Sequence, residues 1–163
     1  LAFNAAAVVL NSMWVPAMIY VLVELMGLPM RRAQAVAVVA GFLPFLIFNS
    51  IYGWPKAFGA ALGLAATAIA VIATRPDSAG RAREFALAYG ALAALSMLAH
   101  FSGAVFLLPV TLWYFWRRLR YAPHALVAGM LAGVGLLATW MLFQQLVLPS
   151  TDPVTKYALT GDP

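Results

Sequence analysis

Five uncharged stretches, 1–23, 33–55, 57–74, 85–116 and 121–151, alternate along the chain with short clusters of charge. Roughly 20 apolar residues in helical form cross the ~30 Å of hydrocarbon in a bilayer, so each stretch is a candidate span. The first predicts a helix over about 3–26, closed by Gly27 and Pro29, with Arg31 and Arg32 among the headgroups. The second predicts a helix over about 33–51 that leads into the turn NSIYGWPK, where Tyr52 and Trp54 suit interfacial depth. A third helix is expected over about 57–74, followed by a polar loop carrying Arg75, Arg81 and Arg83. The last covers about 123–145, opens at Pro123, whose missing N–H costs nothing at a first helical position, and delivers a tail over 147–163.

The stretch 85–116 divides two readings. As one helix its 32 residues would measure about 48 Å, too long for a comfortable single span and short for two full ones. Charge parity separates the alternatives. With one crossing, the Lys and Arg residues divide six to four between the two sides; with a return near AHFSG (99–103), eight of the ten fall on one side. The tendency of basic residues to stay on the cytoplasmic side favours the return. The expected fold is all-α: a polytopic transmembrane helix bundle of about six membrane segments, including a short broken pair near His100. Residues 1–163 are read as a single transmembrane domain, part of a longer chain, with both ends and the tail 147–163 extracytoplasmic.

Composition removes the soluble alternatives. Hydrophobic residues make up 64% of the chain, charged residues 9%, and the mean hydropathy is +0.91. A soluble surface built from so few charges would expose large apolar patches. The net charge of +5 sits in turns between spans and forms no continuous basic face, so nucleic acid is not an expected partner. With no cysteine there is no disulfide, thiol chemistry or thiolate metal site. No basic segment precedes the first apolar stretch, so no signal peptide is expected. No HExxH, GxGxxG, P-loop or serine-elbow pattern occurs, and neither cofactor nor metal is expected.

Polar residues inside the hydrocarbon carry the chemical information. Asn4 and Asn11 share one face of the first helix, where they either bond neighbouring helices or line a ligand site. Glu24 lies near the cytoplasmic end of that helix, within reach of water or of Arg31 and Arg32. His100 stands at the break in the long stretch, followed by Phe101, Ser102 and Gly103. There it either ties two half-spans together or faces a hydrated cavity, where an imidazole can bond a phosphate or carry a proton. Lys56, Trp54 and Tyr52 in the outer turn offer a cation and aromatic faces suited to a lipid-linked phosphosugar, or form an ordinary aromatic belt. His124, beside Arg120, reads as a headgroup residue. GAALG (59–63) and GMLAG (129–133) both match GxxxG, which permits close helix packing.

Two stretches carry a resemblance. The segment 85–118 is similar to a helix pair in bacterial multi-spanning, lipid-phosphosugar-dependent glycosyltransferases, the group that includes protein mannosyltransferases and aminoarabinose transferases. A Gly- and Ala-rich helix there ends in a polar residue before a Ser/Gly turn and a Leu-Pro segment. The turn NSIYGWPKAFGAAL (49–62) resembles an outer turn in some members. Together the two cover under a third of the chain. The resemblance implies a bundle in the bacterial inner membrane that takes sugar from a polyprenyl phosphate at the outer face. It puts His100 in the place of the polar residue at the break, as the catalytic candidate, and makes Lys56 the phosphate partner; Trp54, Tyr52 and Asn11 stand beside Lys56 as substrate-binding candidates from the reading of the residues themselves. It also implies an essential carboxylate in the first external loop, which has no match here, since no Asp or Glu precedes Glu24.

The expected function is therefore a segment of a membrane glycosyltransferase whose partners are membrane lipids and a polyprenyl-phosphate sugar. Two alternatives stand beside it: a non-catalytic subunit in contact with other membrane subunits, and a transporter segment, which the broken 85–116 stretch would suit.

Overall fold

The computed structural model describes residues 2–43, 47 and 56–147, with side chains over 5–43, 47, and 56–146. The described residues form helices α1 (Ala2–Asn11), α2 (Trp14–Tyr20), α3 (Met30–Gly41), α4 (Lys56–Ala73), α5 (Ala82–Ala99), α6 (Ser102–Arg118) and α7 (Pro123–Val147). A π-helical turn, Val21–Leu25, extends α2, and a 3₁₀ turn, Pro76–Arg81, leads into α5.

The helix expected over 3–26 is interrupted at Ser12 and Met13. Pro16 causes this, because its ring has no N–H for the Ser12 carbonyl and would collide with it in a regular helix. The Ser12 carbonyl instead accepts from the Val15 N–H (3.1 Å), and the Ser12 hydroxyl donates to the Val8 carbonyl (2.8 Å). At the far end Gly27 adopts φ +65°, and the Leu28 N–H reaches back to the Leu22 carbonyl at 3.0 Å. A left-handed glycine that lets the chain bond back across seven residues satisfies carbonyls that the helix leaves open.

Among the described residues, four stretches are long and apolar enough to cross a membrane: Ala5–Leu25, Lys56–Ala73, Pro76–Ala99 and Pro123–Leu146. The chain is a multi-pass, all-α membrane protein. The 85–116 region forms two helices, 18 residues in α5 and 17 in α6. At 1.5 Å per residue they run about 27 and 26 Å. Each is longer than the uncharged stretch alone would give, because α5 takes in Arg83 and Glu84 and α6 takes in Arg117 and Arg118.

Helix α4 is the centre of the bundle. Its Ala57 and Ala61 pack against Trp14 of α2, while Ala66, Ala70 and Ala73 belong to one buried cluster with Tyr89 of α5, Leu107 and Tyr114 of α6, and Leu126 of α7. Lipid tails are as apolar as leucine, so association rests on close packing and interhelical hydrogen bonds, and small residues serve both. Both GxxxG patterns lie at contacts. Gly129 sits against the Ala86 backbone and Gly133 against Gly90, which makes α5 and α7 parallel; Gly59 and Gly63 approach Ser96 at the end of α5, which makes α4 and α5 antiparallel. Away from its contacts with α5 and α6, α7 is largely apolar and open, with Leu131, Met141 and Leu146 exposed, as suits a lipid-facing helix.

These directions gather the charge. Helices α2, α4 and α6 finish, and α3, α5 and α7 begin, at one end of the bundle, so all the arginines lie there. Arg75 fastens that end by donating from Nη2 to the Glu24 carbonyl at 2.9 Å, and Arg81 pairs with Glu84 at 2.7 Å. Lys56, at the start of α4, lies at the opposite end.

Candidate functional site

The chain reverses between α5 and α6 within two residues, and the side chain of His100 holds the reversal. His100 is extended (φ −161°, ψ 128°), and the first N–H groups of α6 lack helical partners. The Ser102 N–H donates to His100 Nδ1 (3.2 Å), and the Ser102 hydroxyl lies 2.7 Å from the same atom. In the tautomer in which Nδ1 accepts the Ser102 N–H, the ring carries its N–H at Nε2. Gly103 makes the tight return possible: a Cβ there would fall 2.6 Å from Ser96 Oγ and 2.9 Å from the Ser96 carbonyl. Ser96, one turn before His100, is fully enclosed and donates to the Gly59 carbonyl at 2.8 Å, tying α5 to α4.

Around this knot the starts of α4 and α6 and the end of α5 enclose a cavity of about 520 Å³. Lys56, Ser96, His100 and Ser102 supply its polar wall, and Leu64 and Phe106 part of its apolar one. Lys56 is exposed and His100 half-buried, so the cavity opens at the end of the bundle away from the arginines. An ammonium group, an imidazole N–H and a hydroxyl over an apolar floor form a donor-rich, cationic site suited to an anion carried on an apolar chain. Among the described residues no carboxylate lines it, and no three His, Asp or Glu side chains converge to hold a metal.

Of the residues singled out in the sequence, Lys56 and His100 are brought together on one cavity. Asn11 is elsewhere. It is 1% exposed, and its Oδ1 accepts the Phe58 N–H (3.2 Å) in the first turn of α4, where it serves as a cap supplied by another helix. Tyr52, Trp54 and the side chain of Asn4 lie outside the described residues, as does the tail from 148 onward. Ser96 was not singled out, although a lone hydroxyl one helical turn before His100 in an Ala- and Leu-rich helix was a legible signal. A second, smaller cavity of about 210 Å³ lies among α5, α6 and α7 and is walled largely by apolar side chains. At its edge the hydroxyls of Tyr89 and Thr111 bond at 2.6 Å.

Comparison with protein-family models, curated proteins and solved structures finds no match for this chain.

Proposed function

We propose that this chain is the membrane part of a bacterial inner-membrane glycosyltransferase, and that the cavity beside His100 holds the phosphate end of a polyprenyl-phosphate-linked sugar. In this reading the chain crosses the membrane six times, with α5 and α6 as separate spans. The arginine end is cytoplasmic by the positive-inside tendency, and the Lys56 end faces outward. The observation that carries the proposal is that Lys56 and His100, distant in sequence, line one cavity with an apolar floor at the end opposite the arginines. Lys56 neutralises the phosphate, the His100 Nε2–H and the Ser102 hydroxyl donate to its oxygens, and the prenyl chain runs along Leu64 and Phe106 toward lipid. The base that activates the acceptor hydroxyl comes from outside the described cavity wall.

Binding of a polyprenyl phosphate to the detergent-solubilised chain tests this. Lys56→Gln removes the charge and lowers affinity by about ten- to a hundredfold if its hydrogen bond is worth the usual 1.5 to 3 kcal/mol. His100→Asn keeps a side-chain acceptor for the Ser102 N–H and removes the imidazole, so it weakens binding while the protein folds to its normal yield. Wild-type affinity in both variants would remove the enzyme reading and leave that of a non-catalytic membrane subunit.

A further inference from the structure

At the opposite end of the molecule one arginine differs from the rest. Arg118, in the last turn of α6, is only 9% exposed, and neither its Nε nor its Nη2 has a hydrogen-bond partner. Three other polar side chains at this end have partners: Arg75 holds the Glu24 carbonyl, Arg81 holds Glu84 and lies 5.0 Å over the Phe85 ring, and Ser78 donates to the Ile72 carbonyl; Arg117 and Arg120 are exposed and reach water. The Arg118 backbone carbonyl is also engaged, accepting from the N–H groups of Tyr121 and Ala122. Only the guanidinium remains. Acids are scarce here, since Glu24, Asp77 and Glu84 face eight arginines.

A guanidinium cannot escape its buried charge by losing a proton, and its unpaired N–H groups are costly away from water. Its fork of donors matches two oxygens of a phosphate or carboxylate. Among the described residues no acid pairs with it, and an anion from outside the chain would supply the match. We infer that Arg118 anchors a binding site for an anionic phosphate at the arginine end, and that the phosphate belongs to an anionic membrane lipid. The location supports a lipid as its source. Arg118 closes α6 at the end of the bundle where the span Lys56–Ala73 finishes and the span Pro123–Leu146 begins, the end at which headgroup phosphates would lie, and the exposed Arg117 and Arg120 on the same turn add a field that concentrates anionic lipid. This site is separate from the outer cavity and does not depend on the function proposed for it.

The test is native mass spectrometry of the solubilised chain with phosphatidylglycerol, with phosphatidylcholine and with inorganic phosphate in parallel arms. Phosphatidylglycerol is expected to stay bound in high salt, where exposed charges are screened and an enclosed pair is not. Arg118→Gln is expected to cut its occupancy about tenfold or more, against a small loss for the exposed neighbour Arg117→Gln. Equal losses in the two variants, or release of all phosphatidylglycerol from the wild type by salt, would overturn the site in favour of diffuse surface attraction. Should Arg118→Gln fail to fold, the salt arm on the wild type decides alone. Equal retention of phosphatidylcholine would overturn the requirement for an anionic lipid, and retention of inorganic phosphate without phosphatidylglycerol would overturn the lipid as its source.

Discussion

The contact between α5 and α7 gives the sharpest test of how this bundle holds together, through Gly90→Ala. An added Cβ at Gly90 would overlap the Gly129 carbonyl oxygen and lie 2.8 Å from its carbonyl carbon and 3.3 Å from its Cα. Ordinary contacts of this kind begin near 3.4 Å, so the carbonyl carbon alone requires the helices to part by about 0.6 Å, and the oxygen requires more. A gap of that size forfeits a quarter to a half of each dispersion contact along the seam. The neighbours are backbone atoms, which cannot rotate aside. The loss should therefore fall in the upper part of the overpacking range, about 2 to 3 kcal/mol. Gly135 is the control, because a Cβ there meets nothing within 4 Å; Gly135→Ala should be neutral or slightly stabilising through helix propensity. Reversible unfolding in mixed micelles, followed by steric trapping, measures both. Because Gly129 lies in the same seam, the double variant Gly90→Ala/Gly129→Ala should lose less than the sum of the single variants, one separation relieving both overlaps. Equal stability of Gly90→Ala and Gly135→Ala would refute the packing argument and with it the parallel α5 and α7 contact.

Asn11→Ala removes the acceptor that α2's neighbour α1 supplies to the first turn of α4, and a loss of about 1 kcal/mol is expected in the same unfolding assay; Asn11→Asp, which keeps the acceptor oxygen, should lose less of the cap. For topology, this cysteine-free chain allows single-cysteine labelling at exposed sites. Cysteine in place of Asp77 or Arg120 should react with an impermeant reagent only from the cytoplasmic side, and cysteine in place of Lys56 only from the other. Reaction of the Arg120 and Lys56 variants from the same side would contradict the return of α6.

Much of the spanning architecture was legible in the sequence because membrane insertion is decided locally. Transfer of a segment to hydrocarbon depends on its own run of apolar residues, so four uncharged stretches correspond to helices that the structure describes over most of their length: 1–23, 57–74, 85–116 and 121–151. Stops are local too. Gly27 closes the first span by the left-handed turn that its lack of a side chain permits, and Pro16 interrupts that span for an equally local reason, although its effect was not anticipated. Neighbours in space are a different matter. Every apolar face is satisfied by lipid, so hydrophobicity does not say which helix meets which, and a GxxxG pattern in a chain rich in Ala and Gly does not name its partner. Only the tertiary structure set Gly129 against Ala86, turned Asn11 inward to the first turn of α4, and placed Lys56 and His100 on one cavity. It also separated Arg118 from Arg117. Adjacent residues on a helix point about 100° apart, so one guanidinium is enclosed and its neighbour is not, a distinction that depends on where the surrounding helices stand.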